Sequence, residues 1–450
     1  MGKYFGTDGV RGVAGADLTC EMAMLIGRGA AAVLTSSTGH KPRILIGKDT
    51  RQSGDMLEAA LTAGLCSVGA DVESLGVVPT PAVAYLVRKY NADAGVVISA
   101  SHNPMEFNGI KIFAGTGYKL PDEVENEIEA YIDNQCAGLK LATGDDVGRV
   151  TCRTDGIKDY TDHLYESIDG NLSGLNVCID CANGASAAAA RQLFPRLGAK
   201  CTFIGVEPDG KNINAGVGST HLDNLEKAVV EGGFDCGIAF DGDADRCLMV
   251  DETGEEIDGD QVIAACGLAL KEAGELAGGA IVGTVMSNLG LHRFCKEHGI
   301  GLFCTSVGDR NVLEKMEECG YVIGGEQSGH TIFRRYATTG DGQLTALQFL
   351  DLLCRSGKKA SELVGECKRY PQVLINVPVA DKAKKEAVLS APALQSAVAE
   401  QEEKLAGNGR VLVRPSGTEA LIRVMVEAQT EPVARETAEL LANVIKNRGS

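Results

Sequence analysis

The 450-residue chain is short of Lys and Arg, with 43 of them against 61 Asp and Glu and a formal net charge of -18. Nucleic-acid backbones are bound through a cationic surplus, so no nucleic-acid partner is expected. No apolar run reaches the roughly 20 residues that a helix needs to span a bilayer. The opening Met1-Gly2-Lys3-Tyr4-Phe5-Gly6 has neither the apolar stretch of a secretion signal nor the Ser or Thr that myristoylation wants in place of Gly6. No membrane partner is expected either. The 15 cysteines are an odd number without framework spacing, which suits reduced thiols and a cytoplasmic protein. Cys178-Ile179-Asp180-Cys181 lies along a strand pattern with no second pair to complete a zinc site. A Walker A loop is missing, because Gly47-Lys48 runs into Asp49. A G-x-S-x-G elbow is missing around Ser101 and Ser328, which argues against a serine hydrolase.

What is present is a 44% hydrophobic composition and enough chain for three or four domains. A weak repeat organises most of it. Strand patterns at Arg43–Gly47, Leu175–Ile179 and Gly279–Gly283 are each followed by a helical stretch (Asp55–Val68, Ala185–Leu197, Leu289–His298) and a second strand. That is a βαβ unit with a parallel pair. Each copy continues through another helix to a third strand and then a polar loop. The three loops are Ser99-Ala100-Ser101-His102-Asn103, Asp241-Gly242-Asp243-Ala244-Asp245-Arg246 and Gly324-Gly325-Glu326-Gln327-Ser328-Gly329-His330. Loops at the C-terminal ends of such strands carry the chemistry of open α/β sheets. Ser101, after Val96-Val97-Ile98, is expected to stand exposed there. Past residue 370 the pattern changes: a strand over 370–379, helix over 381–405, strands over 409–413 and 420–427, and a helix over 432–447. The expected fold is α/β, three similar α/β domains with mixed, mainly parallel sheets plus a C-terminal α+β domain, around one central cleft. The expected domains are 1–153 with the Ser101 loop, 154–255 with the aspartate loop, 256–369 with the Glu326 loop, and 370–450 with Arg414-Pro415-Ser416-Gly417-Thr418.

Asp241, Asp243 and Asp245 alternate on one loop. Three carboxylates brought close repel one another unless a hard cation joins them, and oxygen-only ligation suits Mg²⁺ or Ca²⁺. An EF-hand fits poorly, although Glu252 falls at its twelfth position, because the sixth position holds Arg246 where that loop turns on Gly. Arg414, Ser416, Gly417 and Thr418 supply a guanidinium, two hydroxyls and a small residue, the parts of a phosphate cradle. Glu326, Ser328 and His330 offer an acceptor, a hydroxyl and an imidazole to a polyol.

Together with Tyr4-Phe5-Gly6-Thr7-Asp8-Gly9-Val10-Arg11-Gly12, these five motifs resemble the α-D-phosphohexomutases over essentially the whole chain, and their Phe-Gly-Thr-Asp-Gly and Ser-Ala-Ser-His-Asn-Pro forms resemble the glucosamine branch. The resemblance implies a mutase that moves a phosphoryl group between O6 and O1 of glucosamine phosphate, a step toward UDP-N-acetylglucosamine and cell-wall precursors. It implies that Ser101 is a phosphoserine and, with Asp241, Asp243 and Asp245, a ligand of one Mg²⁺ per chain. It places Glu326 and Ser328 on the sugar hydroxyls, and Arg414, Ser416, Gly417 and Thr418 on the non-reacting phosphate. Arg11, His102, Lys111, Arg246 and His330 would line the reacting end, with Lys111 and His330 as candidate acid and base. Glucosamine or glucose 1,6-bisphosphate would be intermediate and activator. The partner is then a small sugar phosphate, and a homodimer is compatible with the pattern. A phosphatase using Asp241 as nucleophile would leave Ser101 and Arg414 without work. A non-catalytic Ca²⁺- or sugar-binding module would bind without turnover.

Overall fold

The computed structural model describes residues 2–6, 8–34, 39–379, 381–416 and 420–449. They form two compact units, one of residues up to Met286 together with Ile300–Glu366, the other of Ser287–Gly299 together with the chain from Cys367 onward. Among the described residues no helix is long and apolar enough to cross a membrane.

The first unit contains three sheets built on one plan. In the first, strand Arg43–Lys48 lies between Asp71–Val77 and Ala94–Ile98, all parallel. In the second, Asn176–Asp180 lies between Lys200–Ile204 and Cys236–Phe240. In the third, Ala280–Thr284 lies between Gly301–Thr305 and Ile323–Gly325. In every case the first strand of the repeat is central and the third is followed by an antiparallel return: Phe107–Ala114, Cys247–Asp251 and Thr331–Phe333. The repeat in the sequence is thus a repeat in the fold. Central strands need cover on both faces, which is why Ala94–Ile98 and Cys236–Phe240 read as unbroken apolar runs and are buried at all five positions. Helices Cys20–Leu34 and Ser53–Ser67 supply part of that cover in the first sheet, with Ile26, Leu57 and Leu61 packed among Ile44, Ile46, Val96 and Ile98. The first sheet also gains strand Gly9–Val13, paired antiparallel with Phe107–Ala114 on one side and with the edge strand Phe5–Gly6 on the other. The pairing with Phe107–Ala114 sets Arg11 opposite Gly109, close to Lys111.

The second unit is a three-stranded antiparallel sheet, with Leu421–Ala428 between Gln372–Pro378 and Gly409–Pro415. Val377, Val424 and Val426 on it pack with Ala438, Leu441 and Ile445 of helix Glu431–Gly449. The single helix expected over 381–405 is two helices, Lys382–Leu389 and Pro392–Leu405. Pro392 begins the second and pushes Ala391 into the extended region (ψ 126°), which ends the first.

Candidate functional site

Ser101 sits at the end of strand Ala94–Ile98, but it is only 1% exposed. The expectation of an exposed serine is therefore corrected. A strand-end loop is exposed in an isolated module, whereas here the aspartate loop of the second module lies against it. Ser101 Oγ donates to Asp241 Oδ2 at 2.5 Å and lies 3.3 Å from His102 Nδ1. Its backbone is left-handed (φ 53°), a conformation that costs a non-glycine residue on the order of 1 kcal/mol or more.

Residues that sequence reasoning missed hold that conformation. Arg51 is fully buried, and its guanidinium donates to Asp49 Oδ2 (2.8 Å) and to the carbonyls of Ser101 (2.9 Å), Asn103 (2.7 Å), Pro104 (2.5 Å) and Phe107 (3.1 Å). All five N–H groups of the planar fork have an acceptor. Asp49 also accepts from Ser99 Oγ at 2.7 Å, and Ser99 Oγ in turn accepts from Ser101 N at 2.9 Å. Asn214 Nδ2 adds bonds to the Ser101 and Asn103 carbonyls at 2.9 and 3.1 Å. The loop that carries the hydroxyl is fixed from two modules.

The hairpin Cys236–Phe240 and Cys247–Asp251 carries the aspartates at its tip. One oxygen each of Asp241, Asp243 and Asp245 lies within 4.8 Å of the others. Asp243 Oδ2 accepts from Thr80 Oγ1 (2.6 Å) and Lys111 Nζ (2.8 Å), and Asp245 Oδ2 accepts from Lys111 Nζ (3.1 Å). The Oδ1 atoms of Asp243 and Asp245 are buried without a hydrogen-bond partner among the described residues. Buried carboxylate oxygens are seldom left so. Burial and the neighbouring Asp245 and Asp243 push the Asp241 carboxyl well above its usual range, which is the penalty a divalent cation would remove. Three hard oxygens at this spacing, with Ser101 Oγ beside them, fit Mg²⁺. Glu252, the twelfth-position residue of the EF-hand reading, instead accepts from Ser361 Oγ at 2.5 Å.

Lys111 is 2% exposed and lies 3.2 Å from Asp8 Oδ2 as well. Burial alone would lower its pKa, but Asp243, Asp245 and Asp8 raise it well above the usual value, so it stands as a cation. Arg11 pairs with Asp8, and Arg246 Nε lies 4.0 Å from Asp245 Oδ1. His102 is pushed down to about 4 by burial and by Arg246 and Arg11, so it is a neutral imidazole at pH 7. In the third module Glu326 is half-buried and accepts from Gly308 N at 2.9 Å, while Ser328 is exposed. His330 is 3% exposed, and neither ring nitrogen has a hydrogen-bond partner among the described residues. Gly329 between them has φ 92°, and a Cβ there would meet the Cys247 carbonyl at 2.5 Å. Only glycine lets this loop lie against the aspartate hairpin.

In the second unit Arg414 is half-buried and paired across the sheet with Arg423. Like charges directly opposite each other on a sheet are unfavourable, and burial together with Arg423 lowers the Arg414 pKa. Ser416 is buried, with its N–H donating to the Leu421 carbonyl at 3.0 Å. Gly417 and Thr418 lie outside the described residues. Cys178 and Cys181 are buried thiols, pushed up to about 11 and about 12 chiefly by burial, as packing residues should be.

Four family models match in order along the chain: phosphoglucomutase/phosphomannomutase alpha/beta/alpha domain I at residues 2–137, domain II at 158–254, domain III at 258–370 and the C-terminal domain at 374–444. A phosphoglucosamine mutase of Acetivibrio thermocellus is 53% identical over 448 residues, with 100% of both chains covered. A phosphoglucosamine mutase of Saccharopolyspora erythraea is 53% identical over 446 residues, with 99% of each covered. Among solved structures, a phosphoglucomutase/phosphomannomutase family protein of Burkholderia thailandensis shares the fold with a TM-score of 0.80 at 22% identity, over 100% of this chain and 98% of that one. With sheets, loops and full-length relatives in agreement, this chain belongs to the phosphoglucomutase/phosphomannomutase family of enzymes, the α-D-phosphohexomutases.

Proposed function

We propose that this enzyme interconverts glucosamine 6-phosphate and glucosamine 1-phosphate through a phosphoserine at Ser101 and a bound 1,6-bisphosphate. The observation that carries the reading is the meeting of Ser101 Oγ with Asp241 Oδ2 at 2.5 Å beside two buried aspartate oxygens that have no hydrogen-bond partner among the described residues, and the full-length relatives support the choice of sugar. In the first half-reaction the bond from phosphorus to Ser101 Oγ breaks and one to the sugar O1 forms, while the O1 proton passes to a base. In the second, after the sugar turns over, Ser101 takes the phosphoryl group from O6 and the proton returns. Phosphoryl transfer needs alignment and neutralised charge more than covalent assistance. Asp241, Asp243 and Asp245, with Ser101, would hold one Mg²⁺, which supplies charge to the transferring oxygens. Lys111, Arg11 and Arg246 add cationic charge from the protein. Held as a cation, Lys111 suits an acid or a charge partner better than a base, and His330, buried with neither ring nitrogen hydrogen-bonded among the described residues, suits proton transfer. Glu326 and Ser328 would hold sugar hydroxyls, and Arg414 with Ser416, Gly417 and Thr418 the distant phosphate. The chain's many buried thiols suit work in the reducing cytoplasm.

A coupled assay at equal Mg²⁺ and bisphosphate tests the sugar. The expected order of kcat/KM is glucosamine phosphate, then glucose phosphate, then mannose phosphate, whose axial C2 hydroxyl changes the ring's shape. Equal efficiency on glucose or mannose phosphate would instead make the chain a phosphoglucomutase or phosphomannomutase of the same superfamily.

A further inference from the structure

Lys119 follows the turn after strand Phe107–Ala114, in a segment to which the third module is fastened. Thr338 Oγ1 donates to the Gly117 carbonyl at 2.6 Å, and Arg310 donates to the Leu120 carbonyl at 2.6 Å and pairs with Glu125 at 3.1 Å. Those contacts would suffice for a structural seam. Lys119 does something else. Its Nζ lies 2.8 Å from Asp8 Oδ1 and 2.6 Å from Asp309 Oδ2, with side chains only 12%, 24% and 14% exposed. The other oxygen of Asp8 is held by Arg11 and by Lys111 at 3.2 Å. Asp309 Oδ2 also lies 3.5 Å from His330 Nε2. One ammonium therefore stands between the carboxylate that orients two cations of the first module and the carboxylate that faces the imidazole of the third.

Ion pairs this buried are a poor means of adding stability, since desolvation cancels much of the attraction, and a fixed relative geometry is their better-supported use. Both carboxylates hold Lys119 charged against the effect of burial, and Lys119 with His330 keeps Asp309 ionised. On the reading of the site as a phosphoryl-transfer centre, we infer that Lys119, shared between Asp8 and Asp309, is a positioning residue that fixes Arg11 and Lys111 in register with His330 across two modules. It touches neither sugar nor phosphate in this scheme. Its loss should slow the chemical step and leave ground-state binding nearly intact.

The test is a set of variants of the full-length enzyme, Lys119→Met, Lys119→Arg, Asp309→Asn and Lys119→Met with Asp309→Asn, assayed with Mg²⁺ and bisphosphate on glucosamine phosphate. A misplacement of this kind predicts that Lys119→Met loses about 10- to 100-fold in kcat with KM changed less than about threefold. Lys119→Arg, which keeps the charge, should recover to within about fivefold of wild type, and the double variant should be no more than about twofold worse than Lys119→Met, because both act through one tie. A Lys119→Met enzyme with wild-type kcat overturns the inference, as does a rise in KM at constant kcat, or single losses that multiply in the double variant. Melting temperatures measured alongside separate a folding defect, which Asp309→Asn with its smaller steric change should largely avoid. A wild-type enzyme inactive on sugar phosphates would overturn the mutase reading itself, whereas an active wild type with an indifferent Lys119 would overturn only the tie.

Discussion

The Ser101 loop and the Glu326–His330 loop occupy the same place in their modules and are built in opposite ways. Each follows the third strand of its sheet and leads into an antiparallel return. Around Ser101 nearly every polar group is committed: Arg51 spends five donors, and Asp49, Ser99 and Asn214 close the rest. Around Glu326 fewer polar groups are committed: Glu326 accepts from Gly308 N, Ser328 is exposed, and neither nitrogen of His330 has a hydrogen-bond partner among the described residues, although Asp309 Oδ2 faces Nε2 at 3.5 Å. A group that must meet a phosphoryl group in line gains from a fixed position. On the proposed roles, groups that accept a sugar in two orientations would gain from being unsatisfied until it arrives. The same supersecondary unit serves both because what differs is how many buried donors back the loop.

Variants on the committed side should act on kcat. Ser101→Ala is expected to lose more than about 1,000-fold in mutase activity, while sugar-phosphate affinity by calorimetry stays near wild type; substantial residual turnover would move the nucleophile elsewhere. Asp243→Asn should come next, with turnover down about 100-fold and weaker Mg²⁺ binding by titration, since one carboxylate of three is lost. Full activity of the wild type in excess chelator would contradict the metal assignment. Arg51→Lys keeps the charge but cannot reproduce the fork, so kcat should fall about 10- to 100-fold at unchanged KM. A higher KM with unchanged kcat would show that the loop binds substrate and does not depend on Arg51 for its shape. On the open side, Glu326→Gln should mainly raise KM, by about tenfold, the worth of one charge-assisted hydrogen bond. If it lowered kcat as much as Arg51→Lys does, the contrast between the two loops would fail.

Much of this was legible in the sequence because it is local. The repeat shows as apolar runs ending in turn residues, and the aspartates declare themselves by spacing. The strand expected ahead of Asp241–Asp245 is present as Cys236–Phe240, an apolar segment. Arg51 and Asp49 were passed over: they support carbonyls about 50 residues away, and a buried arginine leaves no periodic trace. Lys119 and Asp309 were missed for the same reason, their contact spanning 190 residues. Ser101 was expected to be exposed because one module read alone cannot show that the next will cover it. The helix over 381–405 was read through Pro392, a residue that closes one helix and opens another.

The most direct measurement is peptide mass mapping of the enzyme quenched during turnover with Mg²⁺ and bisphosphate, with hydroxylamine treatment of a parallel sample. A single phosphate on the peptide containing Ser101, stable to hydroxylamine, is the expected result. A hydroxylamine-labile phosphate on Asp241, or a phosphate on any other peptide, would contradict it.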